Sequence, residues 1–206
     1  MRDGADRPML RALRRLQQAP HLLVPGLLAW LRGWVYRLRF LLTGRHFSAG
    51  RFFRVYGNLY ISGPGKVVLG DDCLIIADAI KPVCIRTLTR QAHVTLADHV
   101  GLNGTSIQCA ESVEIGPWSN IADAYITDTP AHSIGRGRRG ESIDAIRSNP
   151  VVIGNNVWVS VQVVILHGVR IGSNSVVGAC SLVRKDVAAN VFVAGNPLRV
   201  IRSIEA

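Results

Sequence analysis

The chain has 206 residues, of which 48% are hydrophobic and 18% are charged. This balance allows a sizeable buried core and excludes a disordered chain. The formal net charge is +10, and most of it lies in residues 1–54, where eleven arginines face two aspartates. A nucleic-acid-binding domain distributes its basic residues over its recognition elements, so we expect no nucleic-acid partner.

Residues 1–54 are predicted to form a basic, amphipathic helical extension. Five apolar residues recur there with a 4-3-4-3 spacing, which places them on one helix face: Leu27, Leu31, Trp34, Leu38 and Leu41. A second, shorter helix is predicted over residues 10–18. The apolar stripe and the arginines suit a helix lying on an anionic membrane surface. They equally suit a helix packed on the rest of the chain or on a sister subunit.

The N-terminal sequence carries no signal for export or for a spanning helix. Its most apolar stretch, residues 22–31, is interrupted by Pro25 and Gly26 and is about half as long as a membrane-spanning helix. A small-residue cleavage site is also absent. We therefore expect a cytoplasmic protein, whose membrane contact would be peripheral, at the inner face of the cytoplasmic membrane.

The strongest pattern is a six-residue repeat in the C-terminal third. Its anchors are Ile153, Val159, Ile165, Ile171, Val177 and Val183, and a small or β-branched residue stands two positions before each anchor. An α-helix would scatter positions six apart around its axis, so a helix is excluded. The period predicts a parallel β-helix, in which each hexad supplies a short strand and a turn and three hexads close one coil.

Weaker hexads extend the β-helix towards the N-terminus, so we predict one β-helical domain over residues 55–206, with residues 187–206 as its C-terminal cap. Residues 77–93 interrupt the pattern. The largest interruption, residues 128–149, contains glycine, proline, charge and His132, and a long insertion in a compact repeat is typical of a functional loop. Trp158 lies between two inward positions and is therefore predicted to point outward.

Four segments together resemble the hexapeptide-repeat sugar O-acetyltransferases, which include galactoside and maltose acetyltransferases. They are GLNGTSI (101–107), ITDTPAHSI (126–134), PVVIGNNVWV (150–159) and VFVAGNPLRVI (191–201). The most similar branch is that of bacterial capsule, exopolysaccharide and lipopolysaccharide pathways. The resemblance implies an all-β fold, namely a left-handed parallel β-helix with an N-terminal α-helical extension. It also implies acetyl-CoA as acyl donor and a homotrimer with active sites between subunits.

The resemblance assigns roles to individual residues. His132 matches the catalytic base, and an imidazole suits removal of a proton from an attacking hydroxyl. Asp128 and Asn103 match substrate-binding positions, although each also suits a turn. The cofactor-binding matches are Trp158, Ala179, Arg184, Lys185, Arg199 and Arg202. The chain departs from the family at Pro130, where a second acid is usual, and at Val161, where some members have a serine that contacts CoA.

The predicted function is transfer of an acetyl group from acetyl-CoA to a sugar hydroxyl of a small molecule or glycan, in bacterial polysaccharide or lipopolysaccharide biosynthesis. A sugar-amine N-acyltransferase would share the fold, coenzyme and base. A non-catalytic β-helix scaffold would not need His132, Trp158 and a basic C-terminal end together. A β-helical zinc enzyme would need three converging histidines. The histidines lack the close pair of such a site and the four cysteines lack zinc-site spacing, so no metal is predicted.

Overall fold

The computed structural model describes residues 20–44 and 46–205. In this part of the chain one helix, α1 (Leu23–Leu42), precedes a three-sided β-helix of about seven coils. Short 3-10 turns cover Pro20–Leu22, Arg138–Gly140 and Ile143–Ala145. The second helix predicted over residues 10–18 lies outside the described residues.

Three sheets form the sides of the β-helix. The first sheet contains β1 (Phe47–Ala49), β4 (Lys66–Leu69), β7 (His93–Leu96), β10 (Ser112–Ile115), β13 (Val151–Ile153) and β16 (Arg170–Ile171). The second contains β2 (Arg54–Gly57), β5 (Leu74–Ala77), β8 (Gly101–Asn103), β11 (Asn120–Ala122), β14 (Trp158–Val159), β17 (Val176–Val177), β19 (Val191–Ala194) and β20 (Arg199–Ser203). The third contains β3 (Leu59–Ser62), β6 (Val83–Thr87), β9 (Ser106–Cys109), β12 (Tyr125–Thr127), β15 (Val164–Ile165) and β18 (Leu182–Val183).

Neighbouring strands of each sheet are parallel, apart from the last pair, β19 and β20. The register stacks equivalent positions of successive coils: Ile121 pairs with Leu102 on one side and with Val159 on the other. The inward column of the second sheet is therefore aliphatic along its length, and each member is at most 3% exposed: Val55, Ile75, Leu102, Ile121, Val159, Val177 and Val193. This architecture confirms the predicted left-handed β-helix of hexapeptide repeats.

The hexad pattern is confirmed in detail. The six anchors are buried, and so are the residues two positions before them, including Ser175 and Ser181. A buried hydroxyl needs a hydrogen-bond partner. Ser175 donates to the carbonyl of Ala188 at 2.7 Å, and Ser181 donates to that of Gly178 at 2.6 Å. Serine at these inward positions thus holds turns of the last coils.

Three corners join the sheets. The first corner leads from the first sheet to the second, the second corner from the second sheet to the third, and the third corner from the third sheet back to the first. At the first corner one residue of each coil has a left-handed backbone conformation, as at His99 (φ 62°), Trp118 (φ 64°) and Asn156 (φ 53°). The side chains at these positions form a column along the first corner.

Two predicted boundaries need correction. The β-helix begins at Phe47, because β1 already pairs with β4, so the extension ends before residue 54. The interruption at residues 77–93 contains a regular strand, β6, which pairs with β3 and β9. Within residues 77–93 the departure from the six-residue spacing lies in the turns on either side of β6.

Helix α1 has recognisable ends. Pro25 lies in its first turn, where backbone N–H groups have no intrahelical partner in any case. At the other end Gly44 adopts a left-handed φ of 65° and its N–H bonds to the carbonyl of Leu41, which is a common way to end a helix. Within the described part of the chain no helix is both long and apolar enough to cross a membrane.

Helix α1 covers the N-terminal open end of the β-helix. Its contact face contains Ala29, Gly33 and Phe40, all buried. The Tyr36 hydroxyl accepts a hydrogen bond from the N–H of Leu59 at 3.0 Å. A Cβ on Gly33 would clash with the carbonyl oxygen of Phe53, so the helix backbone lies directly against the first coil. An open solenoid end needs such a cap to bury its last apolar layer.

The predicted apolar stripe lies on the opposite side of α1 from this contact. The side chains of Leu27, Leu31, Trp34, Leu38 and Leu41 are between 45% and 76% exposed. Packing of the stripe on the β-helix of its own chain is therefore wrong, because the face that contains Ala29, Gly33 and Phe40 makes this contact instead. A membrane surface and a sister subunit remain as partners for this face.

The close contact predicts a contrast between two glycines of α1. Gly33→Ala should lower the free energy of unfolding by about 1–3 kcal/mol, because the added methyl group forces α1 away from Phe53. Gly26→Ala is the matched control, since its Cβ would meet only the Tyr56 hydroxyl at 3.8 Å. That change should be neutral or stabilise the protein through helix propensity. Urea denaturation measures both, and equal stability of the two variants would contradict this packing.

Candidate active site

The loop at residues 128–149 leaves the β-helix at the third corner, between β12 and β13. Its two ends are joined by backbone hydrogen bonds. The N–H of Asn149 donates to the carbonyl of Asp128 at 2.8 Å, and the N–H of Gly168 in the next coil donates to the carbonyl of Asn149 at 3.0 Å. The coil thus closes beneath the loop, which extends outward as the sequence predicts.

Asp128 anchors the base of this loop. Its carboxylate is fully buried and accepts hydrogen bonds from the N–H groups of Ala110 and Glu111, both at 2.7 Å. The thiol of Cys109 donates to it at 3.2 Å. Burial, and then the nearby carboxylate, raise the pKa of that thiol above its usual range. A buried charge needs several such partners to offset its desolvation.

These contacts correct the substrate-binding assignment of Asp128. Both carboxylate oxygens face the turn of the preceding coil, so neither is free to hold a sugar or to orient an imidazole. The alternative, a structural residue of a turn, is the one that the geometry supports. The bonded partners lie in a different coil, 17 and 18 positions away, rather than in the local turn around Pro130.

His132 lies in the same loop, shortly after β12, and its side chain is exposed. The adjacent Ser133 is held by Glu141: the Ser133 hydroxyl donates to one carboxylate oxygen at 2.6 Å and the Ser133 N–H to the other at 3.2 Å. These bonds tie together the two sides of the loop next to the imidazole. An accessible imidazole on a braced loop can take a proton from a bound hydroxyl.

Trp158 points outward from the second sheet, as predicted, and is 55% exposed. Its neighbours in register are Asn120 and Val176. Asn103 ends a strand of the same sheet, and its Oδ1 atom is buried without a hydrogen-bond partner in the described part of the chain. Asn103 and Trp158 thus share one outer face of the protein.

The triangular cross-section separates His132 from this face. His132 leaves from the third corner, where the third and first sheets meet, and this corner is opposite the second sheet that carries Trp158 and Asn103. One chain therefore does not bring the predicted base and the predicted coenzyme surface together. A site that uses both must form between two chains.

The C-terminal end brings together three of the predicted coenzyme cations. Arg184, Lys185 and Arg199 line a cavity of about 340 Å³ that opens over the last coil. Arg202 lies on β20 opposite Phe192 and does not line this cavity, and Ala179 lies at the second corner. Three cations around one cavity suit a ligand with several phosphates.

A further cluster at the first corner was missed by the sequence analysis. His99 stacks on Trp118 with ring centroids 3.8 Å apart, and its Nδ1 lies 3.1 Å from the carboxylate of Asp72. Arg54 donates to the same carboxylate at 2.6 Å. The signal was a set of first-corner positions one coil apart, but the irregular turns around β6 hide that spacing.

In the described residues no three histidine, cysteine or carboxylate side chains converge as a metal site.

Comparison with known proteins agrees with this architecture. Residues 150–185 match the family model described as bacterial transferase hexapeptide (six repeats). Residues 150–185 therefore carry the repeat that this family model describes, within a β-helix that continues on both sides of them. A galactoside O-acetyltransferase and a hexapeptide-repeat-containing acetyltransferase are among the proteins that the chain resembles, which confirms the resemblance seen in the sequence.

Three relatives define the similarity. Galactoside O-acetyltransferase of Escherichia coli K12 is 51% identical over 99 residues, which cover 48% of this chain and 45% of that protein. The chain thus matches about half the length of this curated relative. A hexapeptide-repeat-containing acetyltransferase of Vibrio cholerae, solved with acetyl-CoA, is 25% identical with a TM-score of 0.53 and covers 100% of this chain and 94% of its own.

The third relative shares the fold alone. It is a variant of an N-acyltransferase of Bacillus cereus, solved with dTDP-4-amino-4,6-dideoxyglucose and coenzyme A. Its TM-score is 0.66 at 17% identity, over 82% of this chain and 90% of that one. The β-helix of the present chain therefore has the same fold as this N-acyltransferase.

Proposed function

We propose that this protein transfers an acetyl group from acetyl-CoA to a hydroxyl of a sugar. The observation that carries the proposal is the 51% identity to galactoside O-acetyltransferase. The relative solved with acetyl-CoA supports the choice of donor. The N-acyltransferase is only 17% identical and supports the fold alone, so a hydroxyl acceptor is favoured over an amine.

Acetyl-CoA has complementary surfaces at two places. The exposed face of Trp158 offers an apolar surface to the pantetheine arm, because an exposed indole gains from a packing partner. The phosphates of the nucleotide suit the cavity with Arg184, Lys185 and Arg199. Ala179, at the second corner between these regions, presents only a methyl group and allows close approach to the backbone. In this arrangement Arg202 lies at the edge of the coenzyme site, outside the cavity.

His132 acts as the base. The hydroxyl oxygen of the sugar attacks the thioester carbonyl carbon while the imidazole accepts the hydroxyl proton. The tetrahedral intermediate then expels the coenzyme as a thiolate, which takes the proton back from the imidazolium. The products are the acetyl ester and free CoA-SH. Of the two predicted substrate-binding residues, Asn103 keeps this role, because the buried carboxylate of Asp128 is bonded within the fold.

The active site forms between chains of a trimer. The placement of His132 and Trp158 on opposite sides of the β-helix supports an arrangement in which one chain supplies the base and its neighbour supplies the coenzyme surface. Outward apolar side chains of the third sheet, Val164 and Leu182, which pair in register, offer a contact surface for a sister subunit. A cyclic trimer repeats this one contact three times and leaves no unmatched surface.

Removal of the base should abolish turnover without unfolding the protein. His132→Ala should lower kcat roughly 10²- to 10⁴-fold, with CoA affinity unchanged because the coenzyme contacts other residues. His167→Ala is the matched control, since His167 is also exposed and lies at the third corner one coil later. Thiol release from acetyl-CoA in the presence of a sugar panel gives the rate, and calorimetry gives the affinity. If His132→Ala keeps the turnover of the wild type, His132 is not the catalytic base.

A mixing experiment tests whether the site spans two chains. His132→Ala and Trp158→Ala chains, each impaired alone at low acetyl-CoA, should recover about a quarter of wild-type turnover when co-expressed, because random assortment restores one interface in four. Light scattering should give a mass three times the 22.4 kDa of the chain. No recovery in mixed oligomers, or a monomer mass at micromolar concentration, would refute a shared site.

We also propose that α1 lies on an anionic membrane surface, so that the acceptor is a lipid-linked glycan of bacterial polysaccharide or lipopolysaccharide biosynthesis. The stripe from Leu27 to Leu41 is exposed, and the first 54 residues hold eleven arginines against two aspartates. Apolar burial and attraction to anionic lipids add to each other in such a helix. An interface with a sister subunit would not require this excess of positive charge.

Vesicle flotation tests the membrane contact. The full-length protein should float with vesicles that contain phosphatidylglycerol at low salt, and the double variant Leu31→Gln, Leu38→Gln should not. The control is the double variant Val200→Gln, Ile201→Gln. It removes two apolar side chains on β20, at the opposite end of the β-helix, whose exposure is similar to that of Leu31 and Leu38. This variant should still float. If the wild type stays in solution, or if the Leu31/Leu38 variant changes only the oligomer mass, the stripe is a subunit interface instead.

A further inference from the structure

A second cavity of about 270 Å³ lies on the outer face of the second sheet. It forms a groove between the first corner and the middle of the sheet, and its lining includes Arg54, Asp72, His99, Asn103, Trp118 and Asn120. Only Asn103 among these residues has a role in the mechanism above. The groove therefore contains polar and aromatic groups that acetyl-CoA binding does not use.

A glycine makes the groove. The outward row of the second sheet runs through Arg54, Leu74, Gly101, Asn120 and Trp158 in register. Gly101 has no side chain, and a Cβ placed there would meet only the Asn120 amide, with its oxygen at 3.0 Å. The Asn120 amide thus leans towards Gly101 and forms one border of the groove, and a side chain at position 101 would narrow the groove and displace this amide.

Trp118 forms one wall and is placed there at a cost. It has a left-handed φ of 64°, a conformation that a bulky residue rarely adopts. The next two coils have asparagine at the same corner position, Asn156 and Asn174, which tolerates it well. The stack on His99 is its one ring contact in the described part of the chain, and the Trp118 side chain remains 64% exposed. A strained, exposed aromatic of this kind is typical of a functional surface.

The charges of the groove cancel. The Asp72 carboxylate accepts from Arg54 at 2.6 Å and lies 3.1 Å from His99 Nδ1. The positive charge of Arg54 is therefore already matched, and His99 is fixed by its Nδ1 so that its other nitrogen remains for a ligand. An anionic ligand such as a sugar nucleotide would have to compete with Asp72 for Arg54, whereas the hydroxyls of an uncharged sugar would find hydrogen-bonding groups.

The groove also lies where an acceptor is needed. Asn120, at its edge, is the direct neighbour of Trp158 in register, and adjacent strands are about 4.8 Å apart. A ligand above Gly101 would therefore lie beside the surface proposed for the pantetheine arm. We propose that this groove holds an uncharged sugar ring of the acceptor, with its C–H face on Trp118 and its hydroxyls bonded to Asn103, Asn120 and His99. This assignment rests on the proposed acyl transfer.

Ligand binding without coenzyme tests the groove directly. Saturation-transfer NMR on the full-length protein would use the methyl glycosides of galactose, glucose, mannose and N-acetylglucosamine, with dTDP-glucose as the charged ligand. At least one methyl glycoside should bind, and Trp118→Asn should weaken its Kd roughly tenfold, the upper range for one aromatic contact. His99→Asn should also weaken it. Both changes introduce the residue that later coils carry at this corner, so the backbone is not strained.

Phe52→Asn is the matched control. Phe52 is an exposed aromatic in the same left-handed conformation (φ 55°) at the first corner of the first coil, but it does not line the groove. Its Kd should equal that of the wild type. The proposal is overturned if no methyl glycoside binds, if only dTDP-glucose binds, or if Trp118→Asn binds as tightly as Phe52→Asn.

The two proposals fail separately. If the protein binds a methyl glycoside through Trp118 but acetylates no acceptor, the groove assignment stands and the proposed acyl transfer is wrong. If the wild type and Trp118→Asn acetylate a glycan with the same KM, the proposed acyl transfer stands and the groove assignment is wrong.

Discussion

The rest of the structure depends on the stacking of inward aliphatic side chains from one coil onto the next. Each coil is too small to bury its own core, so Val, Ile and Leu at equivalent positions cover each other along the axis. Parallel pairing in register keeps each column continuous, as from Val55 to Val193 in the second sheet. The same rule creates two exposed ends. Helix α1 closes one through Gly33 and Phe53, and β19 with β20 closes the other.

Because the inward side chains pack against one another, ligand binding and catalysis can involve only outward positions, corners and loops. The outer face of the second sheet carries Trp158 and the groove above Gly101, whereas the loop with His132 leaves from the opposite corner. Asp128 shows how the loop is kept in place, with its buried carboxylate bonded to the preceding coil. A rigid triangular prism cannot bring its corner round to its far side, which is why the proposed site combines groups from two chains.

The distribution of charge separates the three kinds of surface. Arginines dominate the N-terminal segment, where the exposed stripe of α1 faces outward. Cations gather again around the cavity over the last coil. Between them the groove over Gly101 has its single arginine paired with Asp72. Anionic lipid, coenzyme phosphates and an uncharged sugar therefore suit different parts of one molecule, and the coil axis sets the distances among them.

The local period of the sequence was sufficient to predict the β-helix, the inward anchors from Ile153 to Val183, the outward Trp158 and the loop at residues 128–149. These features follow from side-chain alternation within one hexad, which needs no knowledge of other coils. Contacts between coils were not predictable in the same way. The partners of Asp128, and the stack of His99 on Trp118, depend on how many residues each corner takes, and the turns around β6 change that number. Likewise, helical periodicity located the stripe from Leu27 to Leu41 on one face, but which face packs was decided only in three dimensions, where Gly33 allows the backbones to touch and the large side chains remain outside.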